Sequence, residues 1–134
     1  MNEKILSKEN VVKSYNNLTS NDPMIKNQSN QYLMDFYKYE ESINISIELI
    51  DDKENQHKLL GAISLLNILR YHVPTICKDS NKLQYYNNVV MQSLLKLYKT
   101  SSERVVELLC CSFSIIMNVG IFLNISKISD IIEF

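Results

Sequence analysis

The sequence predicts an all-α fold, an α-solenoid of antiparallel helix pairs, and three observations point to it. Residues 22–71 (DPMIKNQSNQYLMDFYKYEESINISIELIDDKENQHKLLGAISLLNILRY) read as a run of amphipathic helices joined by short links. Only two glycines and two prolines occur in 134 residues, too few for the turns of a strand-rich fold or for a phosphate-cradling loop. A hydrophobic content of 46% with 22% charge suits a soluble domain able to bury a core.

Each element follows from its apolar spacing. After a short lead-in, Val11, Val12, Tyr15 and Leu18 mark a first helix over 8–19. Asp22-Pro23 opens the second, with Asp22 as N-cap and Pro23 at a first position where its missing N–H costs nothing. That helix is expected to bury Ile25, Ser29, Tyr32, Leu33 and Phe36, leaving Lys26, Asn27, Asn30, Gln31, Met34 and Asp35 outside. Ile43, Ile47 and Ile50 define a short third helix. Ile43, Ile45, Ile47 and Leu49 also alternate as a strand would, but Ile50 continues the apolar pattern and no partner strand is near. The fourth helix, over 54–72, is apolar on most sides and is ended by Val73-Pro74. A fifth covers 81–99 with Leu83, Tyr86, Val90, Leu94 and Leu97 inward. A sixth runs over 103–124 with Ser101 or Ser102 as N-cap, and Ser126 is expected to cap a new helix over 127–134.

The helices group into three pairs, at about 8–38, 41–72 and 81–124, and the start of a fourth. Pair lengths near forty residues suit HEAT-type repeats. A solenoid normally ends in a polar cap, whereas this sequence ends in ISKISDIIEF. The expectation is that residues 1–134 form an N-terminal fragment of a longer protein, and that it self-associates through 103–134.

Composition excludes several functions. A net charge of −1 with dispersed lysines does not suit a general nucleic-acid or acidic-membrane binder. Three cysteines, two of them adjacent at Cys110 and Cys111, read as reduced thiols, and His57 and His72 are too isolated to complete a metal site. No signal peptide, phosphate loop or nucleophile elbow is present, so no catalytic residue, metal or cofactor is expected. The acidic pair Asp51-Asp52 reads as a solvated helix end. Residues 108–125 carry no charge and approach a membrane span in length, but Ser112, Ser114, Asn118 and Asn124 interrupt them, which favours a buried helix.

Three patches, in order, carry a resemblance: DPMIKNQSNQYLMDF followed by INISIELI, then LLGAISLLNILRY, then VVELLCCSFSIIM. Together they resemble the N-terminal region of the importin-β superfamily of nuclear transport receptors (karyopherins), most of all the transportin-SR group and related importins. Three positions depart from that pattern. Ser29 and Ser114 stand where the family prefers Ala, and Ile43 where it prefers Trp.

The resemblance implies a receptor that shuttles between cytoplasm and nucleus and carries protein cargo through pores lined by nucleoporins. Its N-terminal repeats would dock the GTP-bound form of the GTPase Ran, without enzymatic activity, direct nucleic-acid binding or membrane insertion. Carried onto the second helices of the three repeats, the Ran-binding candidates are Asn27, Asn30, Gln31 and Met34, then Asn67, Arg70 and Tyr71, then Glu107 and Asn118. Polar side chains with one apolar contact among them suit a reversible interface. The same residues also fit a solvated helix face, and the alternative reading is a generic helical scaffold with another protein partner. Asn67 and Asn118 stand apart, since each lies in an apolar helix and needs a polar partner if buried.

Overall fold

The computed structural model describes residues 6–132, and the side chains among them as far as residue 124. Six helices form: α1 (Lys8–Asn17), α2 (Pro23–Tyr37), α3 (Ser42–Ile50), α4 (Asn55–Ile76), α5 (Ser80–Leu97) and α6 (Glu103–Ile132). No strand occurs among the described residues, so the fold class is all-α. The chain divides into two compact units, one ending at Ile68 and the other beginning at Leu69.

In the first unit, α1 packs on α2 and on α3. Ser7 caps α1 by accepting the Asn10 N–H, and Asp22 caps α2 by accepting the Met24 N–H at 2.9 Å. Each such cap satisfies an amide that the helix itself leaves without a partner. Helix α2 buries Ser29, Leu33 and Phe36. Ile25 departs from expectation, being 39% exposed. It lies in the first turn beside Pro23 and borders an open cleft against α1.

The alternating isoleucines of α3 resolve as helix because its buried residues, Ser42, Ile43, Ser46, Leu49 and Ile50, recur at spacings of three and four. Gly61 sets how closely α4 meets α3. A Cβ there would stand 2.8 Å from the Ile50 amide nitrogen and from the Ser46 carbonyl oxygen, so no side chain fits. Leu65 and Ile68 of α4 are fully buried, each burial contributing roughly 1.5–3 kcal/mol.

Helix α4 does not stop at Val73-Pro74, which corrects the expected end at residue 72. Pro74 is accommodated in the last turn, where it removes one helical donor. The Cys77 N–H still closes on the Val73 carbonyl at 2.9 Å, and Ile76 is 1% exposed, so burial sustains the extra turn.

In the second unit α5 packs along α6. Asp79 caps α5 by accepting the Asn81 and Lys82 N–H groups. At α6 the N-cap is Ser102, whose Oγ accepts from Val105. Tyr86, Val90 and Leu97 of α5 are buried, as are Val105, Leu108, Leu109, Ile116 and Val119 of α6. Buried serines are satisfied within their own helices: Ser93 donates to the Val89 carbonyl and Ser112 to that of Leu108. Helix α6 continues through Ser126 to Ile132, correcting the expectation of a new helix there. Without a glycine or proline at 124–126, a serine alone does not interrupt a helix whose preceding turns are anchored.

Candidate functional site

The α2 candidates share one face. Asn27, Asn30, Gln31 and Met34 lie at positions i, i+3, i+4 and i+7, opposite the buried Ser29, Leu33 and Phe36. All four are exposed, Met34 to 51%. Gln31 Nε2 donates to Asp35 Oδ1 at 3.1 Å, and Lys38 stands 3.8 Å from the same carboxylate oxygen. The stripe therefore carries three amides around one thioether, edged by a weakly paired acid and base. Behind it, Ile25, Gln28, Ser29 and Tyr32 border a shallow cleft of about 390 Å³ against Asn10, Ser14 and Asn17 of α1.

Asn67 is placed differently. It is half-buried, and its Nδ2 donates to the Ile63 carbonyl at 3.0 Å while its side chain hydrogen-bonds Tyr37. The Tyr37 hydroxyl lies 2.8 Å from that of Tyr15, which in turn lies 2.8 Å from Ser64 Oγ. Burial pushes both tyrosine hydroxyls above the ordinary range for ionisation. The polar partner that Asn67 requires is thus a network joining α1, α2 and α4 inside the first unit.

The remaining candidates belong to the second unit. Arg70 and Tyr71 are exposed, and the Tyr71 ring meets His72 edge-on at 5.1 Å. Glu107 is exposed and faces Arg104 at 3.5 Å, a weak surface pair. Asn118 is exposed, so its place in an apolar helix demands no buried partner.

One cluster escaped sequence reasoning, and it corrects the view of Asp52 as merely solvated. The Asp52 carboxylate accepts from the Lys8 ammonium, from His57 Nδ1 at 2.9 Å and from the Glu54 N–H at 3.1 Å. The Lys8 hydrogen bond, then that of His57, holds this acid far below the usual carboxylate range. The Nε2 of His57 lies 3.5 Å from Glu54. An Asp with His five residues on, at a helix start, was the available local signal; the Lys8 partner, forty-four residues away, left none. A surface recess of about 560 Å³ beside it is lined by Glu9, Val12, Lys13, Asn16 and Asn17 with Lys8 and His57.

In the second unit a cleft of about 480 Å³ runs between α5 and α6. Leu83, Ile116, Met117, Gly120 and Ile121 give it an apolar floor, and Ser80, Gln84, Asn87 and Asn124 a neutral polar rim. Cys110 and Cys111 are exposed free thiols on α6, and Cys77 is half-buried. Among the described residues no group of three or more His, Cys, Asp or Glu is placed to hold a metal ion. Two helical stretches, Asn55–Ile76 and Glu103–Asn124, are long and apolar enough to cross a membrane by length and composition. In the apolar window of the first, 56% of residues are buried, against 33% in the second, so residues 108–124 present one face to solvent rather than forming the wholly buried helix expected.

Comparison with known protein families, curated proteins and solved structures finds no match to the chain.

Proposed function

We propose that this chain is a protein-binding module of HEAT-type helix pairs, the Ran-facing end of a nuclear transport receptor of importin-β type. The observation that carries the proposal is the α2 stripe. Asn27, Asn30, Gln31 and Met34 are exposed together on a capped helix whose opposite face is anchored. Amides set around one apolar contact suit an interface that must form and dissociate repeatedly. The order of the three residue patches that resemble such receptors supplies the partner, GTP-loaded Ran. The resemblance extends the proposal to Arg70, Tyr71, Glu107 and Asn118, each of them exposed in the second unit. Asn67 acts through Tyr37, setting α2 against α4.

In this reading the module has no catalytic task and no cofactor. Protein cargo and nucleoporins engage the rest of the receptor, which moves between cytoplasm and nucleus. The test is a pull-down of the chain by Ran at low salt, with Ran loaded in turn with GTP and GDP. Retention by the GTP form alone, weakened about tenfold by N30A/M34A, is the expected result. Equal retention by both forms, or by neither, overturns it and leaves a helical scaffold for another protein.

A further inference from the structure

Helix α6 turns a long stripe to solvent. Glu103, Glu107, Cys110, Ser114, Met117, Ile121 and Asn124 are all exposed, at spacings alternating between four and three. That alternation averages 3.5 residues, the seam of a two-helix coiled contact. Met117 is 49% exposed, and Ile121 and its neighbour Phe122 are each 54% exposed. No charged residue occurs from Leu108 to Asn124.

We propose that this stripe pairs with the same stripe of a second copy, antiparallel, about a two-fold axis passing between Ser114 and Met117. Charge selects the partner and the direction. A seam without charge over 108–124 offers nothing to a charged partner, whereas a second copy meets it without repulsion. Its only charges, Glu103 and Glu107, lie at one end. Parallel pairing sets each against its own counterpart, which is destabilising. Antiparallel pairing sets Glu107 opposite Asn124, Cys110 opposite Ile121, and Ser114 opposite Met117. The cleft bordered by Met117, Gly120 and Ile121 lies along the seam, and a Cβ at Gly120 meets nothing within 4 Å, so the incoming helix finds a recess.

The two-fold pairs residues 107–124 of each copy, a seam about 27 Å long. Two such helices bury roughly 1,000 Å² in total, near the lower limit for a specific interface, so the dimer is weak and forms with concentration. This pairing leaves the α2 stripe free for Ran but covers Glu107, so it is a state of the chain that has not engaged Ran through α6.

The test introduces I121C into the full chain with C77S and C111S, leaving Cys110 as the native thiol. With copper–phenanthroline as oxidant, a disulfide-linked dimer is expected from this variant. The parent with C77S and C111S alone stays monomeric in denaturing electrophoresis, because antiparallel copies hold their Cys110 residues about 16 Å apart along the axis. Sedimentation velocity is expected to show a dimer forming with concentration, and I121E, at an exposed position that leaves helicity unchanged, to weaken it at least tenfold. Cross-linking of Cys110 to itself in the parent overturns the proposal. So does a monomer at about 200 μM, or flotation of the chain with phosphatidylcholine vesicles in place of dimerisation.

Discussion

The hydroxyls of Tyr15 and Tyr37 lie 2.8 Å apart, and through them α1 is tied to α2, while Ser64 and Asn67 tie the pair to α4. Every polar atom drawn into that interior needs its neighbours, because a buried group left without a partner loses its hydration with no return. Y15F and Y37F are each expected to lower unfolding stability by about 1–2 kcal/mol in urea titrations. The double variant should cost less than the sum, since each change breaks the same bond.

The same two tyrosines set an alkaline limb. Burial raises the ionisation of both in the folded state above the ordinary value of 10.0. Their contribution is therefore complete below about pH 10 and is lost as pH rises beyond it, where the unfolded chain ionises first. Unfolding measured from pH 9 to 11 should show stability falling in the wild type and a shallower fall in Y15F/Y37F.

The two glycines are expected to respond to alanine with opposite signs. At Gly61 the new methyl meets backbone atoms of Ile50 and Ser46 at 2.8 Å, and backbone cannot swing aside. G61A should destabilise by about 3 kcal/mol, the upper range for overpacking. At Gly120 the methyl meets nothing within 4 Å, and in the dilute monomer helix propensity decides. G120A should stabilise by up to about 1 kcal/mol. Thermal unfolding followed by circular dichroism separates the two.

Acid should act through Asp52. Lys8, then His57, then the Glu54 amide stabilise its ionised form, lowering its folded value below the ordinary 3.8. Its contribution is present above about pH 4 and is lost as pH falls toward the folded value. D52N should flatten the dependence of stability on pH below 4, and K8M should flatten most of it. An unchanged acid limb in D52N would show that other carboxylates govern it.

What was legible in the sequence is the part that local spacing encodes. The 3.6-residue period placed Ser29, Leu33 and Phe36 of α2 and Tyr86, Val90 and Leu97 of α5 inward, and Asp22-Pro23 and the pair Ser101-Ser102 marked helix starts through their own side chains. What was hidden rests on distant partners. Lys8 reaches Asp52 across forty-four residues and Tyr15 reaches Ser64 across forty-nine, and no window of sequence contains both ends. Pro74 was read as a stop because its missing N–H is local, whereas the burial of Ile76 that overrides it is not. The amides of α2 could be assigned to an exposed face, but periodicity alone cannot say what meets that face. The need of Asn67 for a polar partner was legible from its place in an apolar helix, but its partners, the Ile63 carbonyl and Tyr37, were not.

Binding of Ran in its two nucleotide states, measured by biolayer interferometry at low salt, is the most direct measurement of the proposed function. The chain should bind Ran carrying a non-hydrolysable GTP analogue and give no response to the GDP form. N27A/N30A/M34A, confined to exposed positions and leaving the helical spectrum unchanged, should lose at least tenfold in affinity. Equal binding of both nucleotide forms, no binding to either, or a triple variant that binds as the wild type does would contradict it.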